Sequence, residues 1–330
     1  MKKLSCLLLA AFLSLGSFAL AAEKPTIILS STPFGTGSYA LASAFEAIAN
    51  KHDLPFNISH TETPGQAFNI QKLNKDKAAR QNTIAMAGPA INWLAEHGKM
   101  PFKQKMEGMY LIGTVNVAAA WLATDDKSVK SIADLAGKRI ALGRVPQVVW
   151  GYEPDAVLRN GYTPELYKQL KIQFVGTNEA STALLNGQVD AAVLGGYLEP
   201  ESGKFEASPQ TVEVLAASRP LTHLDWGKDA VVKTVQNDVF LTPYQLPAGS
   251  VAGMDKPIWV FTDPSSFVAH KDFPEELAYQ VAKAMIQNVN EFAEFHALGK
   301  LVTAKGLIFG WTPERIHPGA LRAYREAGIL

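Results

Sequence analysis

Between residues 26 and 96, short β-branched runs alternate with stretches of helical periodicity, and this alternation confines the chain to a layered α/β fold on a mostly parallel sheet. Thr26 to Ser31, bounded by Pro25 and by Thr32-Pro33, predicts a strand, and Gly35-Thr36-Gly37-Ser38 leads into a predicted helix over Tyr39 to Ala49. Phe56 to His60 and Thr83 to Ala87 read as further strands, Gln66 to Leu73 and Ala90 to Glu96 as helices. The pattern restarts after Met109 to Val115. Ala118 to Thr124 predicts a strand, Ser131 to Leu135 a short helix, Gly137 to Gly143 a strand and Asp155 to Arg159 a helix. Ile172 to Val175, Ala180 to Asn186 and Ala191 to Leu194 continue it as strand, helix and strand. After Gly195-Gly196 the rhythm is irregular, and Pro243, Pro247, Gly249, Gly253 and Pro257 predict an extended connection. Trp259 to Ala269 returns to β character, and Pro274 to Phe295 is the longest helical pattern, with Leu277, Val281, Met285 and Val289 near helical spacing. Two α/β units follow, the chain leaving the first near residue 117 and returning near residue 250.

The N-terminus has a different character. Lys2 and Lys3 precede an apolar run from Leu4 to Leu20, and Ala19-Leu20-Ala21 offers the small residues that a signal peptidase reads. Residues 1–21 therefore read as a cleaved secretory signal, with cleavage after Ala21 or Ala22, and the protein is expected in the periplasm. Cys6, the sole cysteine, lies inside that signal, so the mature chain is expected to hold no disulfide, thiolate nucleophile or cysteine metal site. Lys and Arg number 31 against 31 Asp and Glu, which leaves no excess of positive charge for a phosphate backbone, and nucleic acid is not expected as a partner.

Gly35-Thr36-Gly37-Ser38-Tyr39-Ala40 fits the G-x-G-x-x-G/A pattern between a strand and a helix. A dinucleotide site would also need an acidic residue about 20 positions on, at the end of a second strand, and none is there. Without the cofactor the physics of the loop remains: glycines let backbone N–H groups approach a ligand, and the helix terminus favours an anion such as a carboxylate. No G-x-S-x-G, P-loop or H-E-x-x-H motif occurs, and seven His are scattered without ligand spacing, so neither catalysis, a cofactor nor a metal is expected. Glu275-Glu276 opens a helix after Pro274 and reads as a response to the helix dipole, not as an acid and base pair. Three further loops, Thr61 to Asn69, Gly143 to Trp150 and Gly195 to Glu199, fall at strand C-termini, where open α/β sheets bind ligands.

The C-terminal segment Ile316 to Gly328 (IHPGALRAYREAG) resembles the ending of the TAXI family, the extracytoplasmic solute receptors of tripartite ATP-independent periplasmic (TRAP) transporters. Other stretches agree in order: Phe34 to Tyr39 (FGTGSY), Thr63 to Asn69, Ser131 to Gly143 (SIADLAGKRIALG), Leu185 to Val193 (LNGQVDAAV) and Leu246 to Gly249 (LPAG). The resemblance implies an α/β type II periplasmic-binding-protein fold, two lobes joined by two crossovers around a ligand cleft. Lobe one would comprise residues 22–117 and 250–330, lobe two and the return crossover 118–249. It implies a small organic acid as ligand, passed to the small and large integral membrane components of a TRAP transporter, with presentation to a membrane sensor as the alternative. Thr36, Gly37, Ser38, Tyr39, Gln66 and Asn69 would line the cleft from lobe one, and Arg144, Gln147, Val149, Trp150 and Gly196 from lobe two. Where the family has an open glycine-rich loop after Gly143, this chain has Arg144 to Gly151 (RVPQVVWG). Trp150, Val148 and Tyr152 thereby suit an apolar or aromatic acid better than a dicarboxylate, and Arg144 offers a bidentate carboxylate contact.

Overall fold

The computed structural model describes residues 23–34, 36–217 and 219–330; the expected signal with its cleavage site and Cys6, and Gly35 of the first glycine loop, lie outside the described residues. Strands β1 (Thr26–Ser30), β2 (Asn57–Thr61) and β3 (Thr83–Ala87) alternate with helices α1 (Gly37–Lys51), α2 (Gln66–Lys75) and α3 (Pro89–His97), as the alternation requires. β1 pairs in parallel with both β2 and β3. Thr36 caps α1 by accepting the Tyr39 N–H at 3.2 Å, and Pro89 takes the first position of α3, where a missing N–H costs nothing.

The next strand, β4 (Tyr110–Thr124), is 15 residues long and begins eight residues before the strand expected over Ala118 to Thr124. It continues into β5 (Arg139–Leu142), α4 (Tyr152–Gly161), α5 (Pro164–Gln169), β6 (Lys171–Phe174), α6 (Thr177–Leu185) and β7 (Ala191–Leu198). Then come β8 (Phe205–Ala207), α7 (Pro209–Ala216), β9 (Thr222–Leu224), α8 (Lys228–Asn237), β10 (Thr242–Leu246) and β11 (Ile258–Ala269). The chain closes with α9 (Glu275–Gln287), α10 (Phe292–Phe295) and α11 (Pro318–Glu326).

All the strands form one sheet, ordered β2-β1-β3-β11-β4-β7-β5-β6, with β10 on β11, β8 on β7 and β9 on β4. The two long strands hold it together. β11 pairs with β3 through Ser266 to Val268 and with β10 through Ile258 to Thr262, while β4 meets β7 only through Ala118 to Ala123. β11 therefore joins the first group of strands at one end and β10 at the other, while β4 joins the second group at its end and meets the first group through β11. Between the two ends the ladder of β4 and β11 shifts register, at Ser265/Ser266 and again at Phe267/Val268, next to Pro264.

The core follows this division without a clean cut. Phe45, Phe267, Phe292 and Met285 fill one cluster under β1, β3 and α9. Trp121, Leu142, Val157 and Leu194 fill a second, which also takes Ile91 and Leu94 of α3, so α3 packs toward the second group of strands. Four sequence expectations change. The sheet expected to be mostly parallel is mixed: β2-β1-β3 and β7-β5-β6 are parallel, but every pairing of β4 and β11 is antiparallel. The connection expected over 243–257 contains β10, where Pro243 is tolerated because the strand has a partner on one side only. β7 runs past Gly195-Gly196 to Leu198. The long helix expected from Pro274 ends at Gln287, where the Asn288 side chain bonds the Ala284 carbonyl at 2.8 Å and the chain tightens into short turns.

Candidate functional site

The C-terminal ends of β1, β2 and β3 converge beside the crossing strands, and the first glycine loop lies there. Thr36 spends its hydroxyl locally: it donates to the Pro33 carbonyl at 2.8 Å, accepts the Tyr39 N–H and sits 2.7 Å from the Thr32 hydroxyl. The first intrahelical bond of α1 runs from Ala40 N–H to Thr36 C=O, so the N–H groups of Gly37 and Ser38 precede it. Ser38 is buried, and its Oγ accepts from Asn116 Nδ2 of β4 at 3.4 Å. Tyr39 turns outward against the Phe34 ring and stacks obliquely on His60, with centroids 4.6 Å apart. His60 in turn bonds Ser43 and Ser31, and burial holds its imidazole below the ordinary range.

Gln66, the first residue of α2, links three elements: its Oε1 accepts the Gly88 N–H at 2.8 Å, and its Nε2 donates to Ser265 Oγ of β11 at 3.4 Å. Asn69, one turn on, is buried and donates to the carbonyls of Ser30, Ser31 and Met86, which makes it the clamp between the ends of β1 and β3.

Across the cleft stands Tyr197 of β7. Gly37 lies close to it: a Cβ there would stand 2.7 Å from Leu298 Cδ1 and 3.3 Å from the Tyr197 ring. On the same side Thr303 donates to Glu199 at 3.2 Å, and Lys305 pairs with Glu201 at 3.1 Å. The halves therefore touch, and the gap bounded by Asn116, Pro200 and Thr303 holds only about 10 Å³. A far roomier cavity of about 760 Å³ lies elsewhere, on the outer face formed by Ala133, Tyr162, Glu165 and Lys233.

The loop after β5 departs from the sequence expectation. Gly143 N–H donates to the Trp150 carbonyl, Gln147 and Trp150 N–H close tight turns, and Gln147 Oε1 accepts the Arg144 N–H at 2.9 Å. The loop uses these groups on itself. Arg144 is exposed and pairs with Glu179 at 3.3 Å. Val148, Val149 and Trp150 pack on the second core cluster, Trp150 against Gly195, and the Tyr152 hydroxyl donates to Asp238 at 3.0 Å. The apolar or aromatic acid expected from these side chains thus loses its basis. Gly196 is buried in β7 between Ala119 and Ala207 and presents no side chain to the cleft.

Sequence reasoning missed Asn116, Tyr197, Glu153 and Asp263. Asp263 left a signal, a lone carboxylate in the otherwise apolar and hydroxyl-bearing strand Ile258–Ala269. Asn116 Oδ1, Ser30 Oγ and Asn69 Oδ1 are buried around the same crossing and meet no donor among the described residues. Among the described residues no group of His, Cys, Asp or Glu is arranged to hold a metal ion.

Known structures share this architecture. A TctC solute binding protein from Polaromonas aligns over 87% of this chain and 90% of its own at 15% identity, with a TM-score of 0.53. An R. palustris protein with adipate aligns over 93% and 95% at 13% identity, with a TM-score of 0.52. The shared fold is the two-lobed α/β fold of periplasmic binding proteins, with β4 and β11 as the two crossovers around a cleft. A model of the NMT1-like family matches residues 31–328, and the chain belongs to that family.

Proposed function

We propose that this protein is a periplasmic solute receptor that binds a small organic acid and delivers it to a membrane transporter, with no catalytic step of its own. The observation that carries this reading is membership of the NMT1-like family on a fold shared with a TctC solute binding protein and with a protein solved with adipate. In this reading lobe one comprises residues 22–117 and 250–330, and lobe two comprises 118–249. The N–H groups of Gly37 and Ser38, at the positive end of α1, receive the carboxylate. Ser38, Gln66 and Asn116 add hydroxyl and amide donors, and Tyr197 closes over the site from lobe two. Closure is favoured because only the closed form makes contacts from both lobes.

Transport through TRAP membrane subunits is the finer form of the proposal, supported by the resemblance of residues 316–328 to the TAXI ending. The signal expected over residues 1–21 supports export, and among the described residues no helix is long and apolar enough to cross a membrane.

A thermal-shift panel of dicarboxylates, 2-oxo acids, amino acids and aromatic acids tests the reading. An acid at 100 times its dissociation constant stabilises the fold by about 2.7 kcal/mol. A response confined to one class of acid supports a receptor and names its chemistry. Silence across the whole panel would remove the organic acid from the proposal.

A further inference from the structure

Glu153 and Asp263 are both fully buried, and they lie against each other where three parts of the fold meet. Glu153 belongs to the first turn of α4; Asp263 belongs to the crossover β11, one residue before Pro264. From lobe one, the turn into α3 covers the pair: Asp263 Oδ1 accepts the Ala90 N–H at 3.5 Å, and a Cβ at Gly88 would stand 2.9 Å from the same oxygen. Both Glu153 oxygens and Asp263 Oδ2 meet no donor among the described residues. Two carboxylates can only accept, so a bond between them requires that one keep a proton.

Among the described residues no cation relieves the pair. What acts on Glu153 is burial first, then the Asp263 charge and hydrogen bond, and all of these push its carboxyl upward. Burial also lifts Asp263, while the Ala90 N–H and Glu153 pull the other way. Charged groups on the surrounding elements are engaged elsewhere. On α4, Asp155 meets Tyr167, and Arg159 meets Asp155 and Asp238. On and behind α3, Glu96 pairs with Arg315, His97 stacks on Trp93, and Lys99 pairs with Asp238, the residue that follows α8. The positive end of α3 points at Asp263, which places the negative charge there and the proton on Glu153.

We propose that Glu153 and Asp263 form a one-proton latch between the lobes: closing seals the pair beneath the Gly88 to Ala90 turn and takes up a proton, and opening admits water and releases it. The latch rests on the reading of the chain as a two-lobed receptor that opens and closes. Its sign follows from burial. The closed form holds the proton more tightly than the open form, so closure is favoured as pH falls and the closed-to-open ratio drops by up to about tenfold per pH unit as pH rises through the range between the two forms.

The test needs no ligand. Spin labels at Lys77→Cys in lobe one and Lys168→Cys in lobe two, both exposed, are placed in the full chain with Cys6→Ser, and the interlobe distance distribution is recorded from about pH 5.5 to about pH 8.5. The latch predicts a closed population that shrinks with rising pH in the parent and stays constant in Glu153→Gln, whose amide donates as the protonated acid does. A parent distribution that does not change with pH overturns the latch, as does the same pH slope in Glu153→Gln. If Glu153→Gln does not fold, Glu153→Met, which removes the same titrating carboxyl, replaces it; if neither folds, the infrared carboxylic C=O band of the parent at neutral pH decides, and its absence refutes the shared proton. None of these results depends on the acid panel, so the latch and the receptor reading fail separately.

Discussion

The Lys99 ammonium meets the Asp238 carboxylate at 2.7 Å, tying the segment behind α3 to the end of α8. Asp238 also takes Arg159 at 3.0 Å, the Tyr152 hydroxyl at 3.0 Å and Asn160 Nδ2 at 3.3 Å. Its side chain is only 3% exposed, whereas Lys99 and Arg159 each retain 39%. Burial alone would raise the Asp238 carboxyl, but Lys99, Arg159 and Tyr152 outweigh it and hold it below the usual carboxylate range.

Removing Asp238 strands its donors, and Asp238→Ala should cost about 3 kcal/mol, the low end for a broken buried pair because two of the partners reach water. The pH dependence has a definite sign. A carboxyl depressed in the folded state stabilises fully above its unfolded value, near 4, and that stabilisation drains away as pH falls through the depressed value. The difference in urea midpoint between the parent and Asp238→Asn should be widest at neutral pH and should shrink below about pH 4. An equal difference at both pH values would show that Asp238 acts by packing and not by charge.

Gln66 joins the start of α2 to the Gly88 N–H and to Ser265 on the crossover. Gln66→Ala leaves a backbone donor unmet at the edge of the cleft and should cost about 1 kcal/mol in stability. Under the proposed function it also weakens acid binding. A variant with parental affinity for the acid found by the panel would take Gln66 out of the site.

Tyr324 is fully buried on α11 and donates its hydroxyl to the Ile112 carbonyl of β4 at 2.6 Å, and burial holds the phenol far above its ordinary value. Tyr324→Phe keeps the ring and loses the bond. It should lower stability by about 1 kcal/mol, seen as a reduced melting temperature with an unchanged distance between the lobes.

That contact explains what the sequence could and could not disclose. The segment Ile316 to Gly328, which carried the family resemblance, packs α11 on α9 and fastens it to β4: His317 N–H bonds the Leu111 carbonyl at 2.9 Å, and Ala320, Ala323 and Tyr324 are buried. A signature built from packing residues informs the fold and says little about the ligand. The strand and helix alternation was legible because each element buries one periodic face. The loop 144–151 was not, because whether Arg144 and Trp150 face the cleft depends on turns closed by Gln147, which have no periodic signature. Tyr197 was equally hidden, since it reaches Gly37 only once the long strands cross, and Asn116 meets Ser38 only where β4 passes the start of α1.

The contact of Gly37 with Tyr197 yields the last prediction. Gly37 is the first residue of α1 and its backbone is not in the left-handed region, so alanine fits the helix itself. What alanine meets is the other side of the cleft. The Leu298 methyl, 2.7 Å from the new Cβ, is the end of a flexible side chain and can turn aside, whereas the Tyr197 ring at 3.3 Å, carried on β7 of lobe two, must give by a few tenths of an ångström. Gly37→Ala should therefore leave unfolding stability within about 0.5 kcal/mol of the parent and still shift the interlobe distance toward the open form. Stability and closure are measured on the same sample, by urea denaturation and by the spin-label distance. A large loss of stability would mean that the contact belongs to the folded core; parental stability with parental distances would mean that the ring accommodates the methyl without opening.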